Sequence, residues 1–189
     1  MNKDKNYWEK FYKNYDNPKC SKFCNFIGCQ IKRLEVKNIL DCGSGNGRDS
    51  YALGLNYNVT GLDTSTYIPE STETCTFLCD DFCTHDKDPY QLIYSRFTFH
   101  SITNEQHKIF LESIKKKGTI LCIECRSDKD ERESKVHGED HYRNYINIEY
   151  LRGIVEQHDF VIEYIEESKD FAPYKTENPT CLRLIATKL

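Results

Sequence analysis

The stretch "LDCGSGNGRD", residues 40–49, follows an apolar run and sets glycines at positions 43, 45 and 47. An apolar run that ends in such a turn and leads into a helical pattern reads as a β-strand feeding a helix, with backbone N–H groups gathered at the carboxyl edge of a parallel sheet. Two common occupants of that edge do not match the spacing. A dinucleotide turn needs glycine at relative positions one, three and six, and the sixth position here is Arg48, whose side chain would obstruct the close helix approach. A P-loop needs Gly-Lys-Ser/Thr after four spacer residues, which is absent. Asp41, immediately before the turn, would repel a pyrophosphate and suits a ligand that bears an ammonium group.

Outward from the turn, the pattern alternates. "KNILDCG", "NVTGLDTS", "CTFLCDDF", "YQLIYSRF" and "GTILCIECR" are short buried strands, with helical patterns over residues 47–55 and 104–116. Thr103 and Gln106 form a capping box for the second of these helices, and Gly118 closes it. Upstream, "NYWEKFYKNYDNP" forms a short helix ended by Pro18. A second helix starts at Ser21, with Phe23, Phe26, Ile27, Gln30, Ile31 and Leu34 along one face. Downstream, Asn147 caps a helix through about His158, and "FVIEYIEES" and "CLRLIATKL" follow as two strands with no helix between them, an antiparallel edge pair. The fold class is therefore α/β: a Rossmann-like sandwich with a mostly parallel seven-stranded sheet, an antiparallel C-terminal edge pair and helices on both faces. Residues 1–189 form one domain. Residues 1–35 are N-terminal helices that cover a cofactor, 36–126 the parallel cofactor-binding half, 127–146 a polar stretch that is either a lid or simply mobile, and 147–189 a substrate-side helix and strands.

Composition narrows the function. A chain of 189 residues, 38% hydrophobic, supports one core. A net charge of −4 gives no global field towards nucleic acid, and Lys115, Lys116 and Lys117 complement the end of a helix. The start lacks a signal-peptide core and no stretch approaches a membrane span, so a cytoplasmic protein with reduced thiols is expected. Among ten cysteines, Cys42, Cys75, Cys79, Cys122 and Cys181 lie in or beside apolar runs. Cys122 and Cys125 form a CxxC inside a strand, where they point to opposite faces, and no metal site is expected.

The downstream strand ends identify the ligand. Asp63, 22 residues beyond Asp41, can accept hydrogen bonds from both ribose hydroxyls, and Asp80 and Asp81 suit an exocyclic amine. Adenosine joined to a zwitterionic amino acid, with no phosphate, fits both. With these motifs, "ILDCGSGNGRDS…GLDTS…CDDF" resembles the class I S-adenosylmethionine-dependent methyltransferases across the element order of the whole chain. The resemblance implies that Gly43, Ser44 and Gly45 wrap the methionine part, Asp63 holds the ribose, and Asp81 with Phe82 borders the adenine. Trp8, Tyr12, Asp41, Arg48, Thr64, Asp80 and Ser95 complete the expected cofactor set, with S-adenosylhomocysteine as product. "YWEKFY", "IYSRFTFHSI" and "HYRNYINIEYL" are similar to methyltransferases that accompany glycan-building enzymes, which implies a sugar or nucleotide-sugar acceptor.

Chemistry places that acceptor over the ends of the fourth and fifth strands. A hydroxyl acceptor needs proton removal, for which His141 or His100 is the expected base. Arg96, Arg126 and Arg143 can form a fork for an anionic small molecule, with Glu124 and Tyr142 beside them, although each arginine could instead pair within the protein. Two alternatives stand: a nitrogen, thiol or metalloid acceptor that needs no strong base, and a non-catalytic partner subunit of the same fold.

Overall fold

A computed structural model describes residues 19–130, 142–174 and 176–189. The expected helix at the very start of the sequence, with Trp8 and Tyr12, lies outside the described residues, as does His141. Helix α1, Lys22–Ile31, begins where Ser21 Oγ accepts the N–H of Cys24 at 2.9 Å, and it buries Phe23, Cys24, Ile27 and Ile31. Leu34 falls beyond its end and is exposed. The strands are β1, Asn38–Cys42; β2, Asn58–Asp63; β3, Cys75–Cys79; β4, Leu92–Arg96; β5, Ile120–Arg126; β6, Phe160–Ser168; and β7, Cys181–Lys188. Their order in the sheet is β3-β2-β1-β4-β5-β7-β6, parallel except for β7, which runs antiparallel to both neighbours. The chain steps outward from β1 to β3 and then returns to β4, so the crevice at the carboxyl ends of β1 and β4 is the topological switch point where ligands bind in such sheets.

Two cores flank the sheet. On one face α1 and α2, Arg48–Leu53, cover Ile39, Val59, Leu92, Tyr94 and Cys122; on the other, α3, Asn104–Glu112, and α4, Ile148–Gln157, cover Leu40, Ile93, Leu121, Ile123 and Cys125. Cys122 and Cys125 thus belong to opposite cores, as their separation on a strand requires. The capping box of α3 is complete, with Thr103 Oγ1 accepting from Gln106 N at 3.2 Å and Gln106 Oε1 accepting from Thr103 N at 2.9 Å. That helix stops at Glu112, short of Gly118. Ser113 is the C-cap, and Gly118, at φ +79°, turns the chain into β5 while its N–H bonds Lys188 O at 2.8 Å. Lys115, Lys116 and Lys117 therefore lie in this turn and do not complement a helix end. Asn147 caps α4 through its side-chain oxygen, which accepts the N–H groups of Glu149 and Tyr150. No helix joins β3 to β4.

The ends of the expected lid are tied down. Asp128 N–H bonds Ile146 O at 3.0 Å and Ile146 N–H bonds Arg126 O at 3.1 Å, which holds both flanks against the sheet. Among the described residues no helix is long and apolar enough to cross a membrane.

Candidate active site

The glycine turn folds back on the end of β2. Gly43 and Ser44 both donate to Leu62 O, at 2.7 and 2.9 Å, and Gly45 N–H donates to Asp63 Oδ2 at 3.0 Å. Gly43 has φ +75°, and a Cβ there would stand 2.0 Å from the methyl of Thr98. The residue before the turn is equally constrained. Asp41 is 3% exposed and its Oδ2 accepts the hydroxyl of Ser50 at 2.5 Å. Burial pushes its carboxyl up to about 7, against the Ser50 bond, with Asp49 and Asp63 adding to the rise and Arg96 relieving it. Burial also raises Asp63, opposed by the N–H groups of Ser65, Gly45 and Thr64. An incoming cation would favour the charged form of both carboxyls and a phosphate would disfavour it, so the pair discriminates between the two.

A pH test follows. The folded-state value of Asp41 lies above that of the unfolded chain, near 3.8, so between the two the native state holds a proton that the unfolded state has released. Stability then falls as pH rises from about 4 towards 7. Asp41→Asn should remove that part of the decline, because the amide oxygen can still accept from Ser50. Urea melts of both proteins from about pH 4.5 to about 7.5 measure it, and parallel profiles would count against the elevated carboxyl.

Three residues missed by the sequence reading hold this region. Asp49, in the first turn of α2, is buried and accepts Ser21 N–H and Oγ–H, both at 2.7 Å, and the Tyr94 hydroxyl at 2.8 Å. It ties the N-cap of α1 to the helix that follows the glycine turn. An acidic residue in the first turn of a helix was the available signal. Lys87 and Arg183, both buried, had no local signal at all. Arg48 is half-buried, its Nε 3.9 Å from Asp49.

At the end of β3, Asp80 accepts His85 Nδ1 at 2.7 Å and Asp81 Oδ1 accepts Cys83 N–H at 2.9 Å. Phe82 packs edge-on against Phe110 with 6.0 Å between centroids, so its ring supports this loop from the core side. Thr64 is exposed beside Asp63. Ser95 is fully buried and shares a hydrogen bond with Thr98, the residue whose methyl abuts Gly43. It backs the turn through Thr98.

The acceptor edge departs further from expectation. Glu124 is fully buried: Oε1 accepts Arg96 Nε at 2.9 Å and Oε2 accepts Arg183 Nε at 2.8 Å. Arg126 donates to Asp130 at 2.7 Å and to Glu177 at 2.9 Å. Arg96 and Arg126 therefore each carry an internal carboxylate partner, Glu124 being shared by Arg96 and Arg183 and Arg126 being held by Asp130 and Glu177, as guanidiniums this buried require. Three arginines here, 96, 126 and 183, meet three carboxylates, 124, 130 and 177, and the charges cancel.

Phe97 follows Arg96 with φ +60°, its N–H bonded to Glu124 O at 2.7 Å and its ring 4.3 Å from the Arg96 guanidinium. His100 is 4% exposed, and its Nδ1 accepts Arg126 N–H at 3.2 Å. The lone pair a base would use is thereby engaged, and the ring packs edge-on to Phe97 at 5.3 Å. Asn144 N–H bonds His100 O at 2.7 Å, which brings exposed Tyr142 and half-buried Arg143 to the same edge.

The molecule has many structural relatives. A SAM-dependent methyltransferase from Methanosarcina mazei is 16% identical, with 85% of this chain and 97% of that one aligned at a TM-score of 0.68. The glycopeptide N-methyltransferase MtfA in complex with S-adenosylhomocysteine is 10% identical over 89% of this chain and 90% of its own, at 0.70. The 1,6-didemethyltoxoflavin N1-methyltransferase of Burkholderia thailandensis is 17% identical over 88% and 76%, at 0.63. No curated protein matches the sequence. A family profile described as "Methyltransferase domain" matches residues 12–165. With the strand order, the glycine turn and the carboxylates at successive strand ends, this match identifies the chain as a member of the methyltransferase domain family, a class I S-adenosylmethionine-dependent methyltransferase.

Proposed function

We propose that the enzyme methylates a hydroxyl of a sugar or nucleotide-sugar held over the ends of β4 and β5. The observation that carries this reading is the cancellation of charge among Arg96, Arg126 and Arg183, each of which already has its carboxylate, with an aromatic ring, Phe97, half-buried beside Arg96 and Arg126. Such a surface suits a neutral, polyhydroxylated acceptor better than a polyanion, so a free or lipid-free sugar is favoured over a nucleotide-sugar. The similarity of "IYSRFTFHSI" to glycan-associated methyltransferases supports the same class.

S-adenosylmethionine, when bound, supplies a methyl already activated on a sulfonium. The residues that would hold it are Asp63 at the ribose, Asp41 near the ammonium, the Gly43–Gly45 turn along the methionine part and Asp80 with Asp81 at the adenine. The residues fit such a ligand: the turn is packed so closely that a Cβ at Gly43 would meet the Thr98 methyl at 2.0 Å, and an incoming cation would favour the charged form of Asp41, whose carboxyl burial raises. The protein's own contribution is then placement, since an in-line approach of a held nucleophile removes much of the barrier. For a hydroxyl the proton must also leave, and with His100 engaged by Arg126 N–H this role falls to His141.

An acceptor screen with isotopically labelled methyl donor, covering free sugars, nucleotide-sugars and amines, tests the class. Label on sugar oxygen is the expected result, and label on amines alone would defeat it. His141→Gln should cost about a hundredfold in turnover with unchanged affinity for S-adenosylhomocysteine. Near-normal turnover would favour the second reading, a nitrogen acceptor that needs no base. The engaged lone pair of His100 favours that reading too, and MtfA and the toxoflavin enzyme are both N-methyltransferases.

A further inference from the structure

Lys87 is 1% exposed, and among the described residues its ammonium makes no ion pair within 4 Å, Asp81 and Asp86 acting on it from farther away. A buried ammonium needs oxygen atoms to replace the water it has lost. Four oxygen atoms do so here. Lys87 Nζ donates to Phe82 O at 2.6 Å, His85 O at 3.1 Å, Cys83 O at 3.5 Å and Ser113 Oγ at 2.6 Å, and it lies 4.9 Å from the centre of the Phe110 ring.

Three of these oxygens belong to one turn, residues 82–85, directly after Asp80 and Asp81. The other end of the turn is held by Asp81: its side chain accepts Cys83 N–H at 2.9 Å, and its carbonyl accepts Thr84 N–H at 3.1 Å and His85 N–H at 3.0 Å. The turn is thus capped by a carboxylate where its N–H groups point and by an ammonium where its carbonyls point, the arrangement that opposite charges adopt at the two ends of a helix. His85, fixed at its carbonyl by Lys87, reaches back through Nδ1 to Asp80 Oδ2 at 2.7 Å. Both aspartates at the end of β3 are therefore placed by a turn that Lys87 holds, in a stretch where no helix joins β3 to β4.

We propose that Lys87 is a positioning residue for adenine recognition: it orients the 82–85 turn so that Asp80 and Asp81 read the exocyclic amine of the cofactor. This rests on the reading of the β3 end as the adenine site. Lys87 touches no ligand itself. It acts through the carbonyls of Phe82, Cys83 and His85, and Ser113 anchors it to the C-cap of α3.

The test compares binding of S-adenosylhomocysteine with that of S-inosylhomocysteine, in which a carbonyl replaces the amine, by calorimetry on the full chain. The wild type should prefer the adenosyl compound by at least about tenfold, the worth of a hydrogen bond to a charged acceptor. Lys87→Met should keep the circular-dichroism spectrum of the fold and lose that preference, binding both compounds within about twofold. Ser113→Ala, which removes one anchor and leaves the ammonium, should reduce the preference by an intermediate factor and gives the readout if the first variant does not fold. A lower melting temperature with an intact preference in the variants would overturn the proposal and leave a purely structural lysine. A wild type that binds both compounds equally would overturn it as well. A wild type that binds neither would overturn the cofactor reading on which the proposal stands.

Discussion

Gly43→Ala is expected to abolish measurable binding of S-adenosylhomocysteine, with a loss of at least about a hundredfold in affinity, or roughly 3 kcal/mol. Two costs combine. The residue sits at φ +75°, where an L side chain costs about 1–2 kcal/mol. Its Cβ would also meet the Thr98 methyl at 2.0 Å, less than any real contact, so either the turn or the segment after β4 must move. If the turn moves, Gly43 and Ser44 lose their shared acceptor, Leu62 O, and Gly45 leaves Asp63. The binding loss therefore exceeds the stability loss. Calorimetry measures the first and urea denaturation the second. Adding Thr98→Ser relieves the clash but not the backbone cost, and should recover part of the affinity. Near-native binding by the single variant would show that the turn does not shape the cofactor site.

Glu124→Gln is expected to destabilise the fold by about 3–5 kcal/mol, the cost of removing one partner from a buried ion pair. Its carboxylate is the shared acceptor of Arg96 and Arg183, and Arg183 is further hemmed in by Phe171 O at 3.1 Å and the rings of Phe23, Phe26 and Phe171. Burial by itself raises the Glu124 carboxyl, and the two arginines draw it back. An amide keeps the shape and removes the charge, which leaves two guanidiniums facing each other without a counter-ion. Urea melts near neutral pH are the measurement. A loss below about 1 kcal/mol would mean that the cluster is solvated more fully than its geometry implies.

The architecture was legible in the sequence because it is written in local patterns. Apolar runs located the strands to within three residues, Ser21, Thr103 and Asn147 marked helix starts by their capping chemistry, and two strands in succession foretold the antiparallel pair. The end of α3 was misplaced because apolar residues continue through Ile114, which is buried although the helix has already ended. The glycine turn and the strand-end aspartates were legible for the same local reason. The acceptor edge was not. Glu124 finds Arg183 59 residues away and Arg126 finds Glu177 51 residues away, and no window of sequence displays such pairings. Arginines that look available in a list of residues turn inward when a distant strand brings them a carboxylate. Lys87 was concealed in the polar run "HDKDPY", where a charged residue reads as a solvated one.

The position of β7 has a consequence for biogenesis. It is the last strand in sequence, yet it lies between β5 and β6 and contributes Arg183 to Glu124. During vectorial synthesis, at about 5–20 residues per second, strands β1 to β5 can assemble while β5 still exposes an apolar edge. That edge is a template for mispairing until residues 181–188 emerge. The glycine turn and the strand-end aspartates can thus form early, whereas the Arg96–Glu124–Arg183 cluster is completed only with β7, so truncation before this strand or slow translation near it exposes the chain to aggregation.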